Sequence, residues 1–133
     1  MNIENVEGIG STYAKTLREA GVRSTARLLK VAGDKRGRSK LAGETGISEK
    51  LILEWVNHAD LMRIKGVGEE YSDLLEEAGV DTVNELKNRL PKNLHQTILE
   101  VNQAKKLVRR PPALSMVERW VSQAKRLEPM VTY

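Results

Sequence analysis

The chain has 133 residues, 22 Lys and Arg against 18 Asp and Glu for a formal net charge of +4, and no cysteine. That length suffices for one ordinary domain or two small halves sharing a core, and the lack of cysteine excludes a disulfide framework, a thiolate metal site and a cysteine nucleophile. No apolar run reaches the roughly 18–20 residues of a membrane span, and residues 1–7 lack the charge and apolar core of a signal peptide, so a soluble cytoplasmic protein is expected.

In chain order, the first organised stretch is NVEGIGSTYAKTLREAGV, residues 5–22, where Tyr13, Leu17 and Ala20 recur at helical spacing. Gly21 follows the last periodic residue with Val22 behind it, the pattern of a left-handed glycine that ends a helix. Next comes a basic cluster, Lys35, Arg36, Arg38 and Lys40 in GDKRGRSKLAG. Leu51, Ile52, Trp55, Val56 and Ala59 then form one apolar helical face. RIKGVGEEYSDLLEEAGV, residues 63–80, repeats the opening stretch 58 residues on, with Tyr71, Leu74, Leu75 and Ala78 on one face and Gly79-Val80 as the stop.

Thr82-Val83-Asn84-Glu85 and Ser115-Met116-Val117-Glu118 match the capping box, so a helix is predicted to start at each. A second basic cluster, Lys105, Lys106, Arg109 and Arg110, precedes Pro111-Pro112, which separate a helix ending near Val108 from the last one. That last helix presents Val117, Trp120, Val121, Ala124 and Leu127 on one face, and residues 128–133 read as a flexible tail. EWVNHADLM (54–62) and RWVSQAKRL (119–127) match at an offset of 65. Two tandem units, residues 1–60 and 61–127, are the simplest account, and no alternating strand is evident, so the fold class is all-α.

Each glycine stretch fits apolar-x-x-apolar-x-Gly-apolar-Gly-x-x-x-small-x-x-apolar. The first copy is Ile3, Val6, Gly8, Ile9, Gly10, Ala14, Leu17; the second is Leu61, Ile64, Gly66, Val67, Gly68, Ser72, Leu75. This resembles the helix-hairpin-helix motif. Two glycines permit a tight turn and close approach of a partner to backbone, and the next helix starts with free amides suited to an anion. Over its whole length the chain also resembles an uncharacterised bacterial family, a domain of unknown function built from two such units. The landmarks are GIGSTYAKTLREAGV, LAGETGI, WVNHADLMRIKGVG and RRPP. The resemblance implies two units packed as one compact domain with pseudo-twofold repetition, and it brings no known activity.

Charge separates the copies. Residues 1–32 carry 5 basic and 3 acidic side chains, residues 61–90 carry 4 and 7, and residues 91–133 carry 8 and 3. After its glycines the first copy offers Ser11, Thr12 and Lys15, where DNA-binding members of the helix-hairpin-helix family grip backbone phosphates. The second offers Glu69, Glu70 and Asp73, whose carboxylates favour a helix N-terminus but repel phosphate.

The expected nucleic-acid site is therefore Gly8, Ile9, Gly10, Ser11, Thr12, Lys15, Arg36 and Arg38, contacting a duplex DNA backbone without reading sequence. With no phenylalanine and no interleaved aromatic and basic residues, stacking on single strands is disfavoured. The rival reading is a protein-interaction or self-assembly scaffold in which Glu69, Glu70, Asp73 and Glu77 face the partner. For the first hairpin the bland alternative is a turn in which Ser11 helps to cap the helix, and for the second basic cluster it is cations complementing a helix C-terminus.

His58 and His95 are the only histidines, neither at metal-ligand spacing, and both are placed on helix surfaces or boundaries. Glu69, Glu70, Asp73, Glu76 and Glu77 surround one helix with no nucleophile to match, and no dinucleotide fingerprint is present. Neither catalysis, a cofactor, a metal nor a small-molecule substrate is expected.

Overall fold

The structure, a computed structural model, describes residues 1–133. It is all-helical. Eight α-helices succeed a 3-10 turn at Ile3–Asn5: α1 (Gly10–Glu19), α2 (Thr25–Ala32), α3 (Lys35–Thr45), α4 (Glu49–Leu61), α5 (Glu69–Glu77), α6 (Val83–Leu86), α7 (Pro91–Lys105) and α8 (Leu114–Ala124). The only extended pairing is an isolated bridge between Asn2 and Ser24. No helix is long and apolar enough to cross a membrane. The chain divides into two units, Met1–Asp60 with Met130–Tyr133, and Leu61–Pro129.

In the first unit, the backbone turns twice on apolar pegs. Val6 donates its N–H to Ile3 O and Ile9 donates to Val6 O, each at 3.2 Å, while all three side chains are buried. α1 then buries Ala14 and Leu17 and ends in a Schellman motif. Gly21 N–H donates to Arg18 O at 2.9 Å and Val22 N–H to Leu17 O at 2.8 Å, with Gly21 at φ +88° and Val22 fully buried against the core. Ser24 Oγ caps α2 by accepting from Arg27 N at 3.1 Å, and Asp34 Oδ1 caps α3 by accepting from Gly37 N at 2.7 Å. α4 supplies Ile52, Trp55, Val56 and Ala59 to the interior, with Leu51 half-buried.

The second unit repeats these devices. Ile64 donates to Leu61 O and Val67 to Ile64 O, at 3.1 and 3.0 Å. Gly79 donates to Glu76 O and Val80 to Leu75 O, both at 2.9 Å, with Gly79 at φ +93°. Thr82 Oγ1 caps α6 by accepting from Glu85 N at 3.2 Å, and Glu85 Oε2 reaches back to Asp81 N at 2.7 Å. Leu61, Ile64, Leu74, Leu75, Leu86, Leu94, Ile98, Val117 and Trp120 share one core under α5 to α8.

Four expectations are corrected. The first hairpin has a full helix only on its C-terminal side; the N-terminal side has just the 3-10 turn Ile3–Asn5 after an extended Asn2, with Ile3 N and Thr25 N spent on Arg23 O and Met1 O. α7 stops at Lys105, not near Val108, because Lys106 adopts a left-handed conformation at φ 52°, ψ 48°. α8 starts at Leu114 after an extended Ala113, so Ser115 lies inside the helix and caps nothing. Residues 130–133 are not a free tail: Thr132 N donates to Gly33 O at 2.8 Å, and Val131 is buried.

Candidate nucleic-acid interface

The turn that launches α1 is seated on an aromatic pair. Gly8 has φ +89°, and a Cβ built on it would lie 3.6 Å from Trp55 Nε1 of α4. The Trp55 ring meets Tyr13 of α1 at a centroid distance of 5.0 Å and a tilt of 60°, a favoured arrangement for two aromatic quadrupoles. The second unit has the same construction. Gly66, at φ +96°, would place a Cβ 3.3 Å from Trp120 Nε1, and Trp120 meets Tyr71 at 5.3 Å. The two glycine stretches and the two tryptophan stretches found as separate matches in the sequence are thus partners in space, one pair per unit.

The helices launched by the two turns begin differently. α1 has no side-chain cap and no acidic residue in its first turn. Gly10 sits at φ +55°, and Gly10, Ser11, Thr12 and Lys15 are all exposed. A helix start of this kind leaves its first amides for solvent or a ligand. Ser11 makes no capping hydrogen bond, and the Thr12 carbonyl accepts from Thr16 Oγ1 at 3.2 Å. α5 also lacks a side-chain cap, but it begins after an extended Gly68, at φ −101°, with Glu69 and Glu70 in its first turn, both exposed.

Two members of the expected site drop out. The Ile9 amide is committed to Val6 O and its side chain is 1% exposed, so it acts as a peg and not as a donor to a ligand. Arg38 is 4% exposed. Its Nη1 donates to Ala32 O at 3.1 Å and Gly33 O at 2.9 Å, and its Nη2 to Thr132 O at 2.6 Å. A buried guanidinium with three of its five N–H donors committed to backbone carbonyls is not presented to a phosphate in solvent. Arg36 is exposed near the N-terminus of α3. The structure brings α3 to α1 at the opposite end, where Glu44 and Thr45 share a groove with Thr16, Glu19 and Ala20. Arg38 therefore adds no exposed charge to the expected site.

Among the acidic candidates, Glu69, Glu70 and Glu77 are exposed and Asp73 is half-buried. Glu77 pairs with Lys105 at the end of α7. Arg18 pairs with Glu4.

The histidine readings need one correction. His58 is buried, 5% exposed, in α4. At the 65-residue offset it stands where the second unit has Gln123, whose amide holds the Lys65 backbone at both ends, accepting from N at 3.0 Å and donating to O at 3.3 Å. His95 is half-buried with Nε2 2.9 Å from Pro112 O.

No solved structure matches the chain. A family model, Domain of unknown function (DUF4332), matches residues 7–127, a span containing both glycine turns and both tryptophans. The chain belongs to that family.

Proposed function

We propose that the protein binds the phosphodiester backbone of duplex DNA without reading its sequence, using the start of α1 as a phosphate clamp in the manner of a helix-hairpin-helix unit. The observation that carries this reading is a contrast between two helices that both start without a side-chain cap: the first turn of α1 is free of acid, while that of α5 carries Glu69 and Glu70. In this reading Gly8 sets the turn, the amides of Gly10, Ser11 and Thr12 donate, the two hydroxyls add donors, and Lys15 supplies charge one turn on. The role is binding and not catalysis, and the second turn is a scaffold copy.

The test is fluorescence anisotropy of a labelled duplex across a salt series. Contacts to two to four phosphates give a slope of log affinity on log salt of roughly −2 to −4. Lys15→Glu is expected to weaken binding about tenfold, and Glu69→Lys to leave it intact or tighten it. A wild-type chain that fails to bind at low salt removes the clamp and favours the scaffold reading, in which substitutions at Glu69, Glu70 or Glu77 disturb association with a protein partner.

A further inference from the structure

The second basic cluster complements a helix end only in part, through Lys105 in the last turn of α7 and Lys106 as its C-cap. Only Lys105 lies in the last turn of α7, and it is engaged by Glu77. Lys106, Arg109 and Arg110 lie beyond the helix, and all three are exposed. They line an open groove of about 800 Å³ in the second unit together with Tyr71, Asn102 and Glu70. The balance along this groove is three cations to one carboxylate.

The backbone beneath these cations is held at three places. Asn102 clasps Val108, with Oδ1 accepting from Val108 N at 2.9 Å and Nδ2 donating to Val108 O at 3.1 Å. Tyr71 OH donates to Arg110 O at 2.9 Å, and His95 Nε2 lies 2.9 Å from Pro112 O. Pro111 and Pro112 stiffen the exit. Lys106 holds a left-handed conformation that ordinarily falls to glycine, so this position carries a charged side chain where the backbone would prefer none. A loop fixed by others' side chains, with its own cations unspent, presents charge at low ordering cost.

We propose that residues 106–110 form a phosphodiester-binding ledge on the second unit, independent of the start of α1. Five residues span at most about 14 Å. Phosphates of one strand advance about 3.4 Å each along the duplex axis while winding around it, so the ledge reaches about two or three of them. Three exposed cations border one groove of about 800 Å³, a space larger than a single small anion fills, which suits a chain of phosphates better than one free anion. The choice of nucleic acid over an acidic peptide rests on the proposed role of α1 as a phosphate clamp.

The experiment uses the full chain, a labelled 20-base-pair duplex, and three variants. Arg109→Glu/Arg110→Glu reverses the ledge. Lys125→Glu/Arg126→Glu makes the same change in net charge at exposed positions just past α8. Lys15→Glu reports on the first unit. The ledge variant is expected to bind at least tenfold more weakly at low salt, with a salt slope shallower by about two, and the Lys125 and Arg126 control to lose less than threefold.

Equal losses in the ledge variant and the control, or no loss in the ledge variant, overturn the ledge. If Lys15→Glu binds as wild type while the ledge variant fails, the ledge stands and the clamp falls; the reverse result removes the ledge alone. Labelled polyglutamate binding as tightly as the duplex, or inorganic phosphate displacing the duplex at matched ionic strength, also overturns the proposal. Far-UV circular dichroism checks folding, and Arg109→Gln/Arg110→Gln replaces the reversal if that variant unfolds.

Discussion

Gly8 and Gly66 occupy the same place in two units but under different constraint. Both sit near φ +90°, where an L side chain costs roughly 1–2 kcal/mol. Gly8 leaves ordinary contact distance to Trp55, whereas at Gly66 the added carbon would meet Trp120 Nε1 at 3.3 Å. Gly66→Ala is therefore expected to lower the urea midpoint more than Gly8→Ala, because the indole must also shift. Equal midpoints for the two variants would show that backbone strain alone matters. Arg38 illustrates the opposite kind of residue, a charge whose work is internal. Arg38→Ala strips partners from three carbonyls and is expected to destabilise the fold by about 2–4 kcal/mol, seen as a lower urea midpoint at unchanged m-value. Lys15→Glu, in contrast, changes an exposed residue and is expected to leave the midpoint within about 0.5 kcal/mol of wild type.

Among the elements, ends carry more information than middles. The two Schellman stops, Gly21-Val22 and Gly79-Val80, are legible in sequence because a glycine after the last apolar repeat and an apolar residue behind it satisfy a local rule. The start of α6 is legible for the same reason, since Thr82 and Glu85 are three residues apart and need no distant partner. The start of α8 misled because Ser115 obeys the same pattern while an extended Ala113, just after two prolines, had already set the helix in motion. The end of α7 misled because nothing in a lysine announces a left-handed conformation; Asn102 grips Val108 and forces the turn at Lys106. Lys106→Gly relieves that strain and is expected to raise stability by about 0.5–1 kcal/mol in a thermal melt while weakening duplex binding. A gain in binding would contradict a role for the Lys106 charge.

At the scale of the whole molecule, the C-terminal residues Met130–Tyr133 belong to the first unit, although the chain enters them from the second. Deletion of residues 130–133 removes the Thr132 contacts to Gly33 and Arg38, so a truncated chain is expected to exchange the amides of α2 and α3 faster while those of α7 and α8 hold their protection. Uniform loss of protection would show that the two units unfold together. By itself the sequence determined the helical class, the repeated turn and the chemical difference between Ser11-Thr12 and Glu69-Glu70, since all of these depend on spacing and side-chain type within a few residues. Tertiary structure alone decided which cations are free. Arg36 and Arg38 are two residues apart in a basic run, yet one meets water and the other three backbone carbonyls, because burial depends on which helix end and which returning segment happen to close over it.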